Sequence, residues 1–121
     1  MRLRKLKTVL MAAFLAMAWP LVSFAHVHMD KSAPANGASL SAPPQNVEVW
    51  FSGKVAAEWS KIEVTDADGK RVDTGEVSDG GDPKHLSVGL KPLAPGSYDV
   101  KLNVISGDGH RVKGLFSFSV K

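Results

Sequence analysis

The chain has 121 residues, no cysteine, and fifteen Lys/Arg against twelve Asp/Glu, a formal charge of +3. Four of those cations, Arg2, Arg4, Lys5 and Lys7, stand at the start and no acid precedes Asp30, so residues 26–121 alone carry eleven Lys/Arg and twelve Asp/Glu, a net −1. That excludes a nucleic-acid binder working through a broad basic field, and the missing cysteine excludes thiolate metal sites, disulfide stapling and a lipid-modified N-terminal cysteine.

The opening MRLRKLK is a positively charged n-region, followed by the apolar stretch Val9 to Trp19 and helix-breaking Pro20. Ser23-Phe24-Ala25 then sets small residues at the −3 and −1 positions of a cut after Ala25. A spanning helix needs about 20 apolar residues, and this run is shorter. Residues 1–25 therefore read as a cleaved signal peptide and residues 26–121 as one exported domain. Cleavage gives His26 a free α-amino group.

From there the pattern is short alternating segments parted by Gly/Pro/Asp turns, the mark of an all-β sandwich. Val27 to Ser32 is the first predicted strand, ending at the Pro34-Ala35-Asn36-Gly37 turn. Val47, Val49 and Phe51 alternate with Glu48, Trp50 and Ser52 in the next. Ile62 and Val64 follow, and Asp68-Gly69 signals a hairpin into Lys70 to Val77. Leu86, Val88 and Leu90 come after the Gly80-Gly81-Asp82-Pro83 break. Tyr98, Val100, Leu102 and Val104 form the longest alternating run, with Tyr98 placed for a tyrosine corner, and Val112, Phe116, Phe118 and Val120 close the chain. That makes about seven strands, a small immunoglobulin-like Greek-key sandwich in a single domain.

No serine sits in a nucleophile elbow, and there is no P-loop or dinucleotide fingerprint. Asp66-Ala67-Asp68-Gly69 lacks the rest of a calcium loop and reads as a turn. The four histidines, His26, His28, His85 and His110, all lie beyond the leader. An N-terminal His26 offers an amine and an imidazole to one metal ion. Asp108 and His110, two residues apart at a strand end, project to one face and can converge. Three nitrogens and one oxygen form a tetragonal set suited to Cu(II). With Met29 the sole methionine past the leader, a soft Cu(I) site has little to draw on.

His26-Val27-His28, the Ser32 to Gly37 turn, the Val47 to Ser52 strand, Leu93-Ala94-Pro95-Gly96-Ser97-Tyr98, and Ser106-Gly107-Asp108-Gly109-His110 through Phe118 together resemble the CopC family, especially its short YobA-type members. The resemblance implies a periplasmic Cu(II)-binding sandwich of copper homeostasis or resistance, a binder or carrier and not an enzyme, often beside a CopD-type inner-membrane protein. It assigns copper to the amine and imidazole of His26, to Asp108 and to His110.

His28 has two readings: a group behind the ligands, or the third-residue imidazole of a competing terminal chelate that uses backbone amides. His85 reads as solvent-facing, and Trp50 and Trp59 as aromatics covering the sandwich. Two other function classes stay in view. One is a histidine-brace copper monooxygenase, against which Asp108 would fill a position that oxygen needs open; the other is an immunoglobulin-like interaction module without metal. The expected state is a monomer with no nucleic-acid partner.

Overall fold

Period-2 alternation gives a strand one apolar face, and two sheets of such strands bury those faces against each other. The computed structural model describes residues 26–121; the predicted leader lies outside the described residues. Among the described residues eight strands form: β1 (Met29–Ala33), β2 (Ala38–Leu40), β3 (Asn46–Phe51), β4 (Lys61–Asp66), β5 (Asp73–Ser78), β6 (His85–Leu90), β7 (Gly96–Ile105) and β8 (Arg111–Val120). The first sheet has the order β1-β3-β6-β5 and the second β2-β8-β7-β4. Between them lie the alternating residues of the sequence pattern: Val47, Val49 and Phe51 of β3, Ile62 and Val64 of β4, Leu86 and Val88 of β6, Tyr98 to Val104 of β7, and Phe116, Phe118 and Val120 of β8.

The sandwich is as expected, with one strand more. That strand is β2, three residues long, which pairs in parallel with the end of β8. The tyrosine corner is present: the Tyr98 hydroxyl donates to the Ala94 carbonyl, and the ring stacks on Phe118 with centroids 5.4 Å apart.

The Asp68-Gly69 turn forms, with Gly69 at φ +80° and the Asp66 carboxylate accepting the Asp68 and Lys70 amides at 2.9 Å. The hairpin behind it ends almost at once. After the Thr65↔Arg71 bridge the chain crosses over, leaving β4 in the second sheet and β5 in the first. Asp73 fixes that crossing. Its buried carboxylate accepts the Val64 amide at 2.8 Å and two guanidinium N–H groups of Arg71 at 2.7 and 2.8 Å. Burial disfavours the charged carboxylate, but the Arg71 and Val64 hydrogen bonds outweigh it and hold Asp73 below its ordinary pKa.

The long antiparallel pairing of β7 with β8, from Gly96↔Val120 to Ile105↔Arg111, carries the loop 106–110 out at one end of the second sheet. At that end β1 begins against the last residue of β3, Met29↔Phe51, and Val55, just beyond β3, bridges Ser106. Both ends of the sequence-predicted site therefore meet there.

Candidate metal centre

Ser52, Gly53, Lys54 and Val55, the segment that leaves β3, hold the two parts of the site together. On one side the His28 amide donates to Ser52 Oγ at 3.0 Å and the Ser52 amide to the His28 carbonyl at 2.9 Å. Val27 packs on the core and lies so close over Gly53 that a Cβ there would stand 2.9 Å from Val27 Cγ2. On the other side the Gly107 amide donates to the Lys54 carbonyl at 2.8 Å. The N-terminal segment and the β7–β8 loop are thus docked on one short stretch of backbone. Sequence reasoning missed this role; Gly53 directly after a strand was its one signal.

The result is a surface cavity of about 200 Å³ lined by His26, Val27, Ser106, Asp108, His110, Arg111 and Val112. The three residues expected from the sequence all lie in it. Asp108 and His110 converge, though through a turn and not along a strand. Gly109 takes φ +87°, its amide donates to the Ser106 carbonyl at 2.9 Å, and the Asp108 carboxylate Oδ2 accepts from His110 Nδ1 at 3.0 Å. Because a carboxylate accepts only, Nδ1 carries the proton and Nε2 is the free nitrogen. The Ser106 hydroxyl donates to Asp108 Oδ1. That hydrogen bond is the main reason the Asp108 carboxyl lies below its ordinary pKa; a slight loss of hydration opposes it and the His110 contact adds to it.

The His26 ring stands edge-on to His110, with centroids 6.4 Å apart. Two imidazoles sharing one ion through metal–nitrogen bonds of about 2 Å have ring centres up to roughly 6 Å apart. Among the described residues no three His, Cys, Asp or Glu side chains are gathered closely enough to hold a metal as they stand. Asp108 and His110 already touch at 3.0 Å while the His26 ring stands apart from them; for Asp108 Oδ2 and His110 Nε2 to reach one ion, that contact has to open. The side chains of Asp108 and His110 are 65% and 71% exposed, so little packing resists that opening. The donor set, nitrogens with one carboxylate, suits Cu(II).

His28 lies apart from the cavity. Its Nε2 pairs with Asp30 Oδ1 at 3.1 Å and its Nδ1 is 3.2 Å from Ser52 Oγ. One of the two amides that a terminal chelate would have to deprotonate, that of His28, is given to Ser52.

His85 corrects its expectation. Its side chain is 12% exposed, wedged 5.0 Å from the Trp50 ring, with Nδ1 3.0 Å from the Asp79 carbonyl and Nε2 3.2 Å from Glu48 Oε1. Trp50 is covered by that ring and by Lys31 Nζ, 4.7 Å from its centroid. Trp59 covers nothing: it sits in a single 3-10 turn, Ala57–Trp59, and is 71% exposed. The larger groove between Lys101, Asn103, Lys113 and Leu115 on the second sheet offers no histidine or carboxylate.

Comparison with known proteins places these features. The CopC domain model matches residues 29–121, a span that includes Asp108 and His110. YobA of Escherichia coli K12 is 34% identical over 120 residues, covering 98% of this chain and 96% of that protein. The copper transport protein CutJ of Bacillus subtilis is 36% identical over 103 residues, 84% of this chain and 19% of CutJ, so the chain spans about a fifth of that longer relative. Among solved structures, CopC from Methylosinus trichosporium OB3b superposes with a TM-score of 0.75 at 34% identity, covering 79% of this chain and 94% of the other.

Proposed function

The chain belongs to the CopC family, a family of copper homeostasis and resistance, and from that premise we infer that it binds one Cu(II) ion as cargo at His26, Asp108 and His110. The observation that carries the reading is that the residue left N-terminal by cleavage after Ala25 lies in one cavity with the Asp-Gly-His turn. The amine and imidazole of His26 then supply two nitrogens, His110 Nε2 a third, and Asp108 an oxygen once its contact with His110 opens. Met29, the remaining thioether, packs against the core, which leaves nitrogen and oxygen as the donors and favours Cu(II) over Cu(I).

The leader read in residues 1–25 and the family resemblance support the periplasm as the place of work and a CopD-type inner-membrane protein as the partner for hand-over. The monomeric protein acts as a binder or carrier and not as an enzyme, because Asp108 takes the position that oxygen chemistry would need vacant.

The test is competition for Cu(II) against a chelator of known affinity, using exported protein whose N-terminus is verified as His26. His110→Ala is expected to weaken binding at least 100-fold, beyond the 10–100-fold typical of losing a group behind a ligand. His28→Ala is expected to change it by less than about 3-fold, as befits a histidine outside the ligand set. The opposite ranking would establish the terminal chelate through His28 and refute the folded site.

A further inference from the structure

Ser106 is buried, 3% exposed, while the two side chains of the loop that follows it stand in solvent. Its backbone closes that loop: the amide donates to the His110 carbonyl at 2.8 Å and the carbonyl accepts from the Gly109 amide at 2.9 Å. Its hydroxyl does two further things. The oxygen accepts the His110 amide at 3.1 Å, and the O–H donates to Asp108 Oδ1. A hydroxyl has one proton; of the two acceptors in reach, the Asp108 carboxylate and the His110 carbonyl 3.1 Å away, the carboxylate is nearer and charged, and so the stronger acceptor.

The two Asp108 oxygens therefore have unlike partners. Oδ2 faces an exposed imidazole whose other nitrogen is the proposed metal donor, and copper competes with that ring for Oδ2. Oδ1 faces a hydroxyl anchored in the sheet, which copper does not need.

We propose that Ser106 is a positioning residue of the metal centre: it ties Asp108 through Oδ1, so that the carboxylate presents one oxygen, Oδ2, to Cu(II) and does not close on the ion with both. The inference rests on the Cu(II) reading above. Two donors from His26, one from His110 and one carboxylate oxygen fill the four positions of a tetragonal ion. A second oxygen would be surplus and would lengthen or displace one of them. Ser106 would also keep Asp108 beside the cavity when the His110 contact opens, lowering the reorganisation that binding costs.

The experiment measures Cu(II) affinity by chelator competition and the EPR spectrum at full loading, for exported wild type, Ser106→Ala, Ser106→Thr, Asp108→Ala and the Ser106→Ala/Asp108→Ala double variant. Ser106→Ala is expected to bind about 10–100-fold more weakly, with altered g∥ and copper hyperfine splitting. Ser106→Thr keeps the hydroxyl and is expected to retain the wild-type spectrum. In the Asp108→Ala background, Ser106→Ala is expected to add less than about 2-fold, because a residue acting through Asp108 has nothing left to act through. Thermal unfolding without copper identifies damage to the fold. If Ser106→Ala does not fold, Ser106→Thr and Ser106→Val, alike in shape and differing in the hydroxyl, read the same difference.

Wild-type affinity and spectrum in Ser106→Ala would overturn the proposal, as would an equal loss in the Asp108→Ala background. If Asp108→Ala itself binds copper like wild type, the metal-centre reading fails and takes Ser106 with it. Loss in Asp108→Ala without loss in Ser106→Ala defeats Ser106 alone.

Discussion

Two histidines on this sandwich have opposite surroundings. On the outer face of the first sheet His85 is nearly buried, and both its ring nitrogens have oxygen partners, Asp79 and Glu48. In the β7–β8 loop His110 is 71% exposed, and one nitrogen is tied to Asp108 while the other is free. A ring enclosed by packing and faced by oxygens on both sides serves the fold and has little left to offer a ligand. The loop keeps its donors in water and pairs them loosely, and a metal can exchange those contacts for its own. On the proposed reading the same residue type serves the fold in one region and the cargo in the other, and variants in the two regions are expected to act on different observables.

The largest effect is expected from His110→Ala, with copper affinity down at least 100-fold, beyond the loss of a group behind a ligand, and the unfolding midpoint of the copper-free protein nearly unchanged. A comparable fall in copper-free stability would break the comparison. Next comes Asp73→Ala, whose carboxylate ties the crossing between sheets. Removing it strands the Val64 amide and Arg71, costing roughly 2–3 kcal/mol of unfolding free energy while leaving copper affinity within about 2-fold, since Asp73 shares no partner with the site. His85→Ala, read by denaturant melts and the same copper competition, is expected to lose about 1–2 kcal/mol of stability without changing copper binding.

The smallest effect is in the acid limb. Asp73 is held below its ordinary pKa, so its contribution is complete above the unfolded value and is lost as pH falls through the folded one. Stability measured across pH is expected to drop in the range below about pH 4 on this account, and Asp73→Asn to flatten that drop. The Asp108 carboxyl also lies low, chiefly through Ser106, and on the proposed reading Asp108→Asn, which keeps the shape and removes the charge, is expected to lower copper affinity in the chelator competition.

Most of the sandwich is legible in the sequence because alternation directly encodes which side of a strand is buried, as in Val47-Val49-Phe51 or Phe116-Phe118-Val120. Three residues cannot display an alternation, so β2 is hidden. The Asp68-Gly69 signal describes its own turn correctly, but the choice of sheet for the next strand is made by Asp73 reaching back to Val64, a contact between β4 and β5 that turn chemistry does not encode. His85 looks solvent-facing because its burial comes from Glu48 and Trp50, far away in sequence on the neighbouring strand. The residues of the proposed metal centre are legible as a motif; what is not is how they meet. Ser52 to Val55 dock both parts through backbone groups and the missing side chain of Gly53, features that carry no chemical label. Ser106 stands inside the motif, yet its role depends on a hydroxyl direction that only the folded loop defines.

The central claim is that His26, once N-terminal, completes a Cu(II) site with Asp108 and His110. The most direct measurement is a Cu(II) titration followed by EPR on exported protein beginning at His26 and on the same protein carrying one extra residue before His26. The account predicts one tightly held Cu(II) with a nitrogen-rich tetragonal spectrum in the first, and weaker binding with a changed spectrum in the second, whose α-amine is locked in a peptide bond. Equal affinity and an identical spectrum in the two proteins would contradict it.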